Sequence, residues 1–347
     1  MENVLRNTWY LAAWASEVPS DGLLARRLLD LPLVLFRDAQ GAPVALHDQC
    51  PHRFAPLSMG RLVQEGGRIE CGYHGLRFDT NGRCSFNPHG DGSIPKAAQV
   101  RAFPVVERYS ALWVWMGEPQ RADEALLPAF PFLDPADWAV GTGYMLVNGH
   151  YELETDNILD LSHIEFMHPM FSSEAVRRAQ VSSEQDGDTV WCKRFMADDA
   201  QVPDFLRQVF QVPEGPIDRW LHVRWDAPAN MALWAGGCAA GGDRAQAVVS
   251  QQAHCFTPES DGRTHYFYAI AFPRALGPLA EQLAQQNVVA LRGPFEHEDK
   301  PVIEAVQQRM RGADLWSLKP VLLPGDAAAV RARRILQARI AAEQAPA

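Results

Sequence analysis

The 347-residue chain is 47% hydrophobic and 21% charged, which excludes a disordered protein, and its length exceeds one ordinary hydrophobic core, so two domains are expected. A formal net charge of −10 argues against a nucleic-acid partner, because that affinity is built from clustered Lys and Arg. No run approaches 18 apolar residues, and the start from Met1 to Trp9 lacks the charged-then-apolar order of a signal peptide, so a soluble, cytoplasmic protein without a membrane partner is expected.

Residues 7–115 read as short strands: 23–29, 33–36, 44–46, 69–71, 76–78 and 112–115. Between them lie Asp21-Gly22, Gln40-Gly41, Gly66-Gly67 and Asn81-Gly82, dipeptides that favour tight hairpin connections. This is a small all-β unit. Six cysteines are too sparse for a disulfide scaffold, and two of them stand beside histidines, in Cys50-Pro51-His52-Arg53 and in Cys71-Gly72-Tyr73-His74-Gly75. Each pair falls where a strand gives way to a loop.

Thiolates donate strongly to iron and neutral imidazoles less so, and two of each divide naturally between the irons of a [2Fe–2S] cluster. Exchanging two thiolates for imidazoles raises the potential to roughly −150 to +300 mV, against about −400 mV for an all-cysteine cluster. Gly72 and Gly75 let the second loop approach such a cluster. Structural zinc is the rival, since it also takes two Cys and two His, but zinc fingers group like ligands whereas each loop here mixes them.

Residues 116–138 are rich in Pro, Asp and Glu and read as a surface linker, with a domain boundary near 118: residues 1–118 and 119–347. Beyond it, strands are expected at 143–151, 190–195, 221–225, 247–256 and 265–272, and helices at 279–290, 295–310 and 327–342. A sheet backed by helices packs that order most simply, giving an α+β chain. Gly236-Gly237 and Gly241-Gly242 read as loop. No nucleotide-binding glycine signature is present, so NAD(P)H has to be oxidised by another chain.

The second domain carries Asp156-Asn157-Ile158-Leu159-Asp160-Leu161-Ser162-His163-Ile164-Glu165-Phe166-Met167-His168. On a regular helix Asp160 and His163 share a face and His168 does not, so both histidines reach one metal only if the helix ends or distorts between them. Pro169 favours an end at His168. A cluster that moves single electrons needs a consumer, and an iron held by two His and one carboxylate, with open positions, is the expected one. The third ligand is sought in Phe295-Glu296-His297-Glu298-Asp299-Lys300-Pro301-Val302-Ile303-Glu304, where four carboxylates crowd a short stretch. Asp160 reads either as a carboxylate fixing the tautomer of His163 or as something more, and Asn157 as lining the same site.

Cys50-Pro51-His52 with Cys71-Gly72-Tyr73-His74-Gly75 resembles a Rieske domain, and with 156–168 the chain resembles the oxygenase component of Rieske non-haem iron oxygenases over nearly its whole length. Asn7-Thr8-Trp9-Tyr10 and Phe256-Thr257-Pro258-Glu259-Ser260 sharpen this to the vanillate O-demethylase and dicamba monooxygenase group. The resemblance implies an N-terminal Rieske [2Fe–2S] domain at Cys50, His52, Cys71 and His74, then a helix-grip catalytic domain with mononuclear Fe(II) at His163, His168 and Asp299, Glu298 being the second choice. It implies that Asp160 bridges His163 to His74 of a neighbouring subunit in a homotrimer. It implies hydroxylation of an aryl methoxy carbon, releasing formaldehyde and a phenol from a methoxylated aromatic acid. Ring hydroxylation of an aromatic carboxylate is the alternative within the class, and a Rieske electron carrier the alternative outside it.

For substrate contacts, His254 is read as a hydrogen-bonding residue and Trp234 as an aromatic wall; His265 is read as structural. Electrons are expected from a separate ferredoxin-type reductase carrying flavin and [2Fe–2S]. Residues 50–110 hold eight basic and five acidic side chains, so +3 against −13 for the remainder, an asymmetry that fits an acidic donor docking near the cluster.

Overall fold

The computed structural model describes residues 1, 3–63 and 67–345; Glu65 of the charge count and Gly66 of the expected Gly66-Gly67 turn lie outside the described residues. The chain divides into two compact units, Met1–Leu127 and Pro128–Ala347. The first runs past 118 because the following segment folds back on it: Glu118 N–H donates to Asn7 Oδ1 at 2.9 Å, and Trp9 Nε1 donates to the Asp123 carbonyl at 2.8 Å.

The first unit is all β, built as a three-stranded and two four-stranded antiparallel sheets. Its strands match the expected ones to within about two residues, and Trp9–Trp14, fully buried and paired with Ala111–Trp115, is a strand the sequence reading missed. The strand Leu31–Arg37 explains how so small a unit supports two cores. Side chains alternate across a strand, so Leu33 and Leu35 enter one cluster with Leu112 and Val114, while Val34 and Phe36 enter another with Ile69, Phe78, Cys50 and Cys71. The cysteine loops are thereby pinned to a packed core.

The second unit is organised by a seven-stranded antiparallel sheet, and its elements are numbered here: β1 (Trp138–Val147), β2 (Gln180–Asp186), β3 (Thr189–Asp199), β4 (Ile217–Asp226), β5 (Asn230–Ala239), β6 (Val249–Ser260) and β7 (Arg263–Pro273), in the order β1-β7-β6-β5-β4-β3-β2. Its longer helices are α1 (Tyr151–Leu159), α2 (Pro278–Pro294), α3 (Lys300–Met310) and α4 (Ala327–Gln344), with a shorter one at Asp204–Phe210. The expected α+β class and the helix-backed sheet are both present. α2 lies close over β1 because Gly141 has no side chain; a Cβ there would stand 2.7 Å from the Ala284 carbonyl.

Three expectations are corrected. The strand expected at 143–151 stops at Val147, because His150 turns the chain by accepting the Glu152 N–H and capping α1. Gly236 and Gly237 are not loop but lie within β5. The rings of Trp220 and Phe210 occupy the space a side chain would need, a Cβ on Gly236 falling 2.3 Å from Trp220 and one on Gly237 falling 2.9 Å from Phe210. The helix expected through 156–168 ends at Asp160, whose φ of −118° and ψ of 90° leave the helical region, and resumes as short turns at Leu161–His163 and Ile164–Met167. Among the described residues no helix is long and apolar enough to cross a membrane.

α1 is held from outside by one cation. Arg333 of α4, buried, donates to Asp156 Oδ1 at 3.0 Å and to Oδ2 at 2.7 Å, and also to Glu152. Burial pushes the carboxyls of Glu152 and Asp156 above their usual range, and the guanidinium opposes this. Arg333→Met strands two desolvated carboxylates and is expected to cost about 3 kcal/mol. Hydrogen exchange of α1 amides and the thermal transition of the second unit measure the loss.

Candidate active site

In the first unit the two Cys-His loops share one backbone design. Cys50 N–H donates to the Ala55 carbonyl and Cys71 N–H to the Leu76 carbonyl, both at 2.8 Å; in return Phe54 N–H and Gly75 N–H donate to the Cys50 and Cys71 carbonyls at 2.8 and 2.9 Å. Each loop thus closes i to i+5 and i+4 to i, and each closes through a left-handed residue, Phe54 at φ 61° and Gly75 at φ 72°. For a phenylalanine that conformation is strained and is retained where surrounding structure imposes it. The loops bring the His52 and His74 rings to 4.5 Å between centroids, with both cysteines free and buried beneath.

Burial raises the Cys50 thiol to about 11, so it becomes a thiolate only if a cation pairs with it, and two thiols with two imidazoles are a donor set suited to iron. His89 was missed by the sequence reading: its Nε2 lies 2.9 Å from the His74 carbonyl, against the second loop.

In the second unit the interrupted helix sets the geometry. Leaving the helix at Asp160 turns the Asp160 carbonyl to His163 Nδ1, at 2.7 Å. His168 ends the next short turn, and its Nδ1 is held by Glu298 Oε2 at 2.5 Å. With both Nδ1 atoms occupied, both Nε2 atoms face Asp299: His163 Nε2 is 3.5 Å from Oδ1 and His168 Nε2 is 3.3 Å from Oδ2. One ligand atom from each of these three residues lies within 4.8 Å of the others, and together they form a group able to hold a metal ion. Two imidazole nitrogens and a carboxylate oxygen lining one cavity are the donor set that suits non-haem iron.

Asp299 comes from a five-residue π-helical turn, Phe295–Asp299, set between α2 and α3. Pro294 and Pro301 flank it, and each removes an N–H that a continuous α-helix would have used, which permits the wider turn; Lys300 N–H accordingly bonds the Phe295 carbonyl five residues back. Glu298, considered as a ligand from sequence, instead holds the far side of His168. Asn157 Nδ2 donates to Asp299 Oδ1 at 3.1 Å and so orients that carboxylate.

Charge follows burial. Burial lowers His163, with Asp299 opposing. For His168 burial also acts downward, but the hydrogen bonds and charges of Asp299 and Glu298 outweigh it and the net shift is upward. The Asp160 carboxylate does not touch His163, which corrects the reading of it as a tautomer clamp. It accepts from Ser162 N–H at 3.0 Å and Ser162 Oγ at 2.9 Å and faces Arg194 Nη2 at 3.4 Å, and Asp160 fixes His163 through the main chain.

A cavity with about 120 Å³ open to the centres of water molecules takes in this trio and is walled by side chains such as Ile164, Phe171, Met196, Phe205, Leu291 and Phe295. His254 is one of its polar residues. Its Nδ1 pairs with Tyr266 Oη at 2.7 Å, its Nε2 has no partner among the described residues, and burial lowers it to about 3, so the ring is neutral at pH 7. Trp234 is corrected: neighbours alternate along a strand, so Leu233 and Ala235 line the cavity while Trp234 stacks on Trp191 at 5.3 Å on the opposite face. His265 packs against Tyr144, with Nδ1 2.9 Å from its hydroxyl. Tyr266, Ser250 and Gln252 were missed, and their signal was available in the odd-even alternation along β6 and β7.

Comparison with known proteins gives the same two parts. Residues 8–104 match the Rieske [2Fe–2S] domain and residues 147–342 the vanillate O-demethylase oxygenase C-terminal domain. The chain is 37% identical to the chloroacetanilide N-alkylformylase oxygenase component of Rhizorhabdus wittichii, over 99% of this chain and 97% of that one. It is 36% identical to the dicamba O-demethylase oxygenase component of Stenotrophomonas maltophilia, over 96% and 97%. The crystal structure of dicamba monooxygenase bound to 3,6-dichlorosalicylic acid superposes with a TM-score of 0.90 at 34% identity, covering 99% of this chain and all of that one. The chain is a Rieske non-haem iron oxygenase, the oxygenase component of its system, and it belongs to the vanillate O-demethylase oxygenase family.

The hold on His168 yields a test that needs no turnover. Glu298→Gln removes the anion behind Nδ1 and is expected to weaken Fe(II) binding in the second unit about 10- to 100-fold. Iron per chain across a chelator titration reports it, with the Rieske absorption as an internal control.

Proposed function

We propose that Cys50, His52, Cys71 and His74 hold a Rieske cluster, that His163, His168 and Asp299 hold mononuclear Fe(II), and that the reaction is O-demethylation of a methoxylated aromatic acid. The trio at the end of an apolar cavity carries this reading, because a substrate held there presents a C–H bond to open metal positions in a dry site. The names of relatives agree: dicamba O-demethylase and vanillate O-demethylase are among them, and a dicamba monooxygenase structure is described with non-heme iron. When bound, the metal supplies O2 chemistry in which one oxygen enters the methyl C–H bond and the other leaves as water, consuming two electrons and two protons. The hemiacetal then divides into formaldehyde and a phenol.

The chain's own residues bind and orient. Asn157 fixes the Asp299 carboxylate, the Asp160 carbonyl and the Glu298 carboxylate fix the two imidazoles, and the neutral His254 offers a hydrogen bond to the substrate's carboxylate or ether oxygen. Phenol O–H is the stronger donor of that pair, so Tyr266 donates to Nδ1 and His254 Nε2 carries its proton into the cavity.

Electrons come from a separate reductase with flavin and [2Fe–2S], which is where NAD(P)H is used, and a cytoplasmic setting fits that supply. The working assembly is a homotrimer in which Asp160 of one subunit meets His74 of the next. Two features support this. The Asp160 side chain is one-quarter exposed, with Gly325 leaving room beside it, since a Cβ there would stand 3.2 Å from Oδ1. Large apolar side chains are also exposed beside the cluster loops, at Phe54, Met59 and Tyr73, and after α3, at Leu318, Val321 and Leu323.

Asp160→Asn keeps its backbone carbonyl and is expected to retain both iron centres while losing most turnover; full activity in that variant excludes the bridge. Formaldehyde release from a panel of methoxybenzoates, with a surrogate reductase, tests the reaction itself. Absence of release from an enzyme loaded with all three irons counts against O-demethylation.

A further inference from the structure

We infer that the cavity holds a second polar subsite, formed by Ser250 and Gln252, which takes an amide group on a side arm of the substrate. The inference rests on reading this cavity as the substrate site and adds a chemical class to it.

Ser250, Gln252 and His254 occupy alternate positions of β6, so all three face the same way, and all three line the cavity. At a rise of about 3.4 Å per residue, Gln252 lies roughly 7 Å and Ser250 roughly 14 Å along the strand from His254. His254 stands at the metal end, with its ring 5.9 Å from that of Phe295. A methoxybenzoate that reaches both the trio and His254 therefore leaves Gln252 and Ser250 beyond it.

That far end carries buried polar side chains. Ser250 is paired across the sheet with Ala235 and Gln252 with Leu233, so the side chains at the Ser250 level are both small, and all four residues line the cavity. Ser250 is 2% exposed, yet its Oγ has no partner among the described residues. A buried hydroxyl without a partner costs about 1–3 kcal/mol, and a ligand group is what removes that cost. Other polar residues of the wall are satisfied by the protein: Asn287 Nδ2 donates to the Leu283 carbonyl at 2.9 Å, and Arg219 is engaged by Asp199 at 2.7 Å and Ser173 at 2.9 Å.

The donors on offer are neutral, and Phe210, Trp220 and Leu221 line the cavity with them. A carboxylate arm would be desolvated there without a free counter-charge. An amide fits: Gln252 can donate to its carbonyl and accept its N–H, and Ser250 can do either.

The test is anaerobic calorimetry on the holoenzyme with three ligands sharing a methoxyphenyl ring: an arm ending in a primary amide, the same arm ending in an alkyl group, and the same arm ending in a carboxylate. The amide is expected to bind about tenfold more tightly than the alkyl ligand. That ratio is expected to fall about fivefold in Ser250→Ala and to approach one in the Ser250→Ala, Gln252→Leu double variant. An amide-to-alkyl ratio of one in the wild type, or a ratio that the variants do not change, overturns the subsite. Tighter binding of the carboxylate arm overturns its neutral class. Formaldehyde from a compact methoxybenzoate without any amide preference sinks the subsite alone. An amide preference without formaldehyde from any methoxy ligand sinks O-demethylation and leaves the subsite standing.

Discussion

The second unit depends on how two imidazoles are held from behind. An imidazole has two nitrogens, and a metal site works only if the correct one faces inward. His163 and His168 are five residues apart and would point in different directions on one helix. The chain resolves this by breaking helix α1 at Asp160, so that a main-chain carbonyl grips one Nδ1, and by bringing Glu298 from a distant helix to grip the other. The π-helical turn then serves twice, since the same five residues supply Glu298 behind His168 and Asp299 in front of it.

Much of this was legible in the sequence, and the rest was not for definite reasons. Cys50, His52, Cys71 and His74 could be grouped because spacing and residue chemistry are both local. His163 and His168 could be paired for the same reason. Asp299 came only through resemblance, because a carboxylate in an acidic run is ordinarily a solvated one and the π turn that buries it leaves no periodic trace. The breakpoint at Asp160 was misplaced toward Pro169 because proline is a conspicuous terminator, whereas an aspartate leaving the helix through its own backbone is not. Gly236 and Gly237 were read as loop because glycine is a weak strand former. In the fold they are required by the aromatic rings packed over them, a tertiary demand that local propensity does not register.

The first unit shows how a short chain can afford strained loops. A single strand, Leu31–Arg37, sends alternate side chains into two cores, and the second of those cores contains both cysteines. Phe54 keeps its left-handed backbone because hydrogen bonds on both sides of Cys50 determine the loop. The matching loop solves the same problem with Gly75, so the two halves of the donor set differ in residue but not in backbone design.

Electrostatics at the trio has the opposite logic to a surface cluster. Glu154 of α1 is fully buried near Asp299, and burial together with that neighbouring charge raises its carboxyl to about 8, so it is protonated at pH 7. His254, equally buried, is neutral because its charged form is disfavoured. Desolvation removes the charge of Glu154 and keeps His254 neutral, while Asp299 faces the two Nε2 atoms. A metal dication bound there would be balanced by Asp299 in front of the imidazoles and Glu298 behind His168, in a cavity whose wall is otherwise apolar or ion-paired. The polar atoms without a protein partner on that wall, His254 Nε2 and Ser250 Oγ, are neutral, so they orient a substrate oxygen by hydrogen bonding rather than by charge.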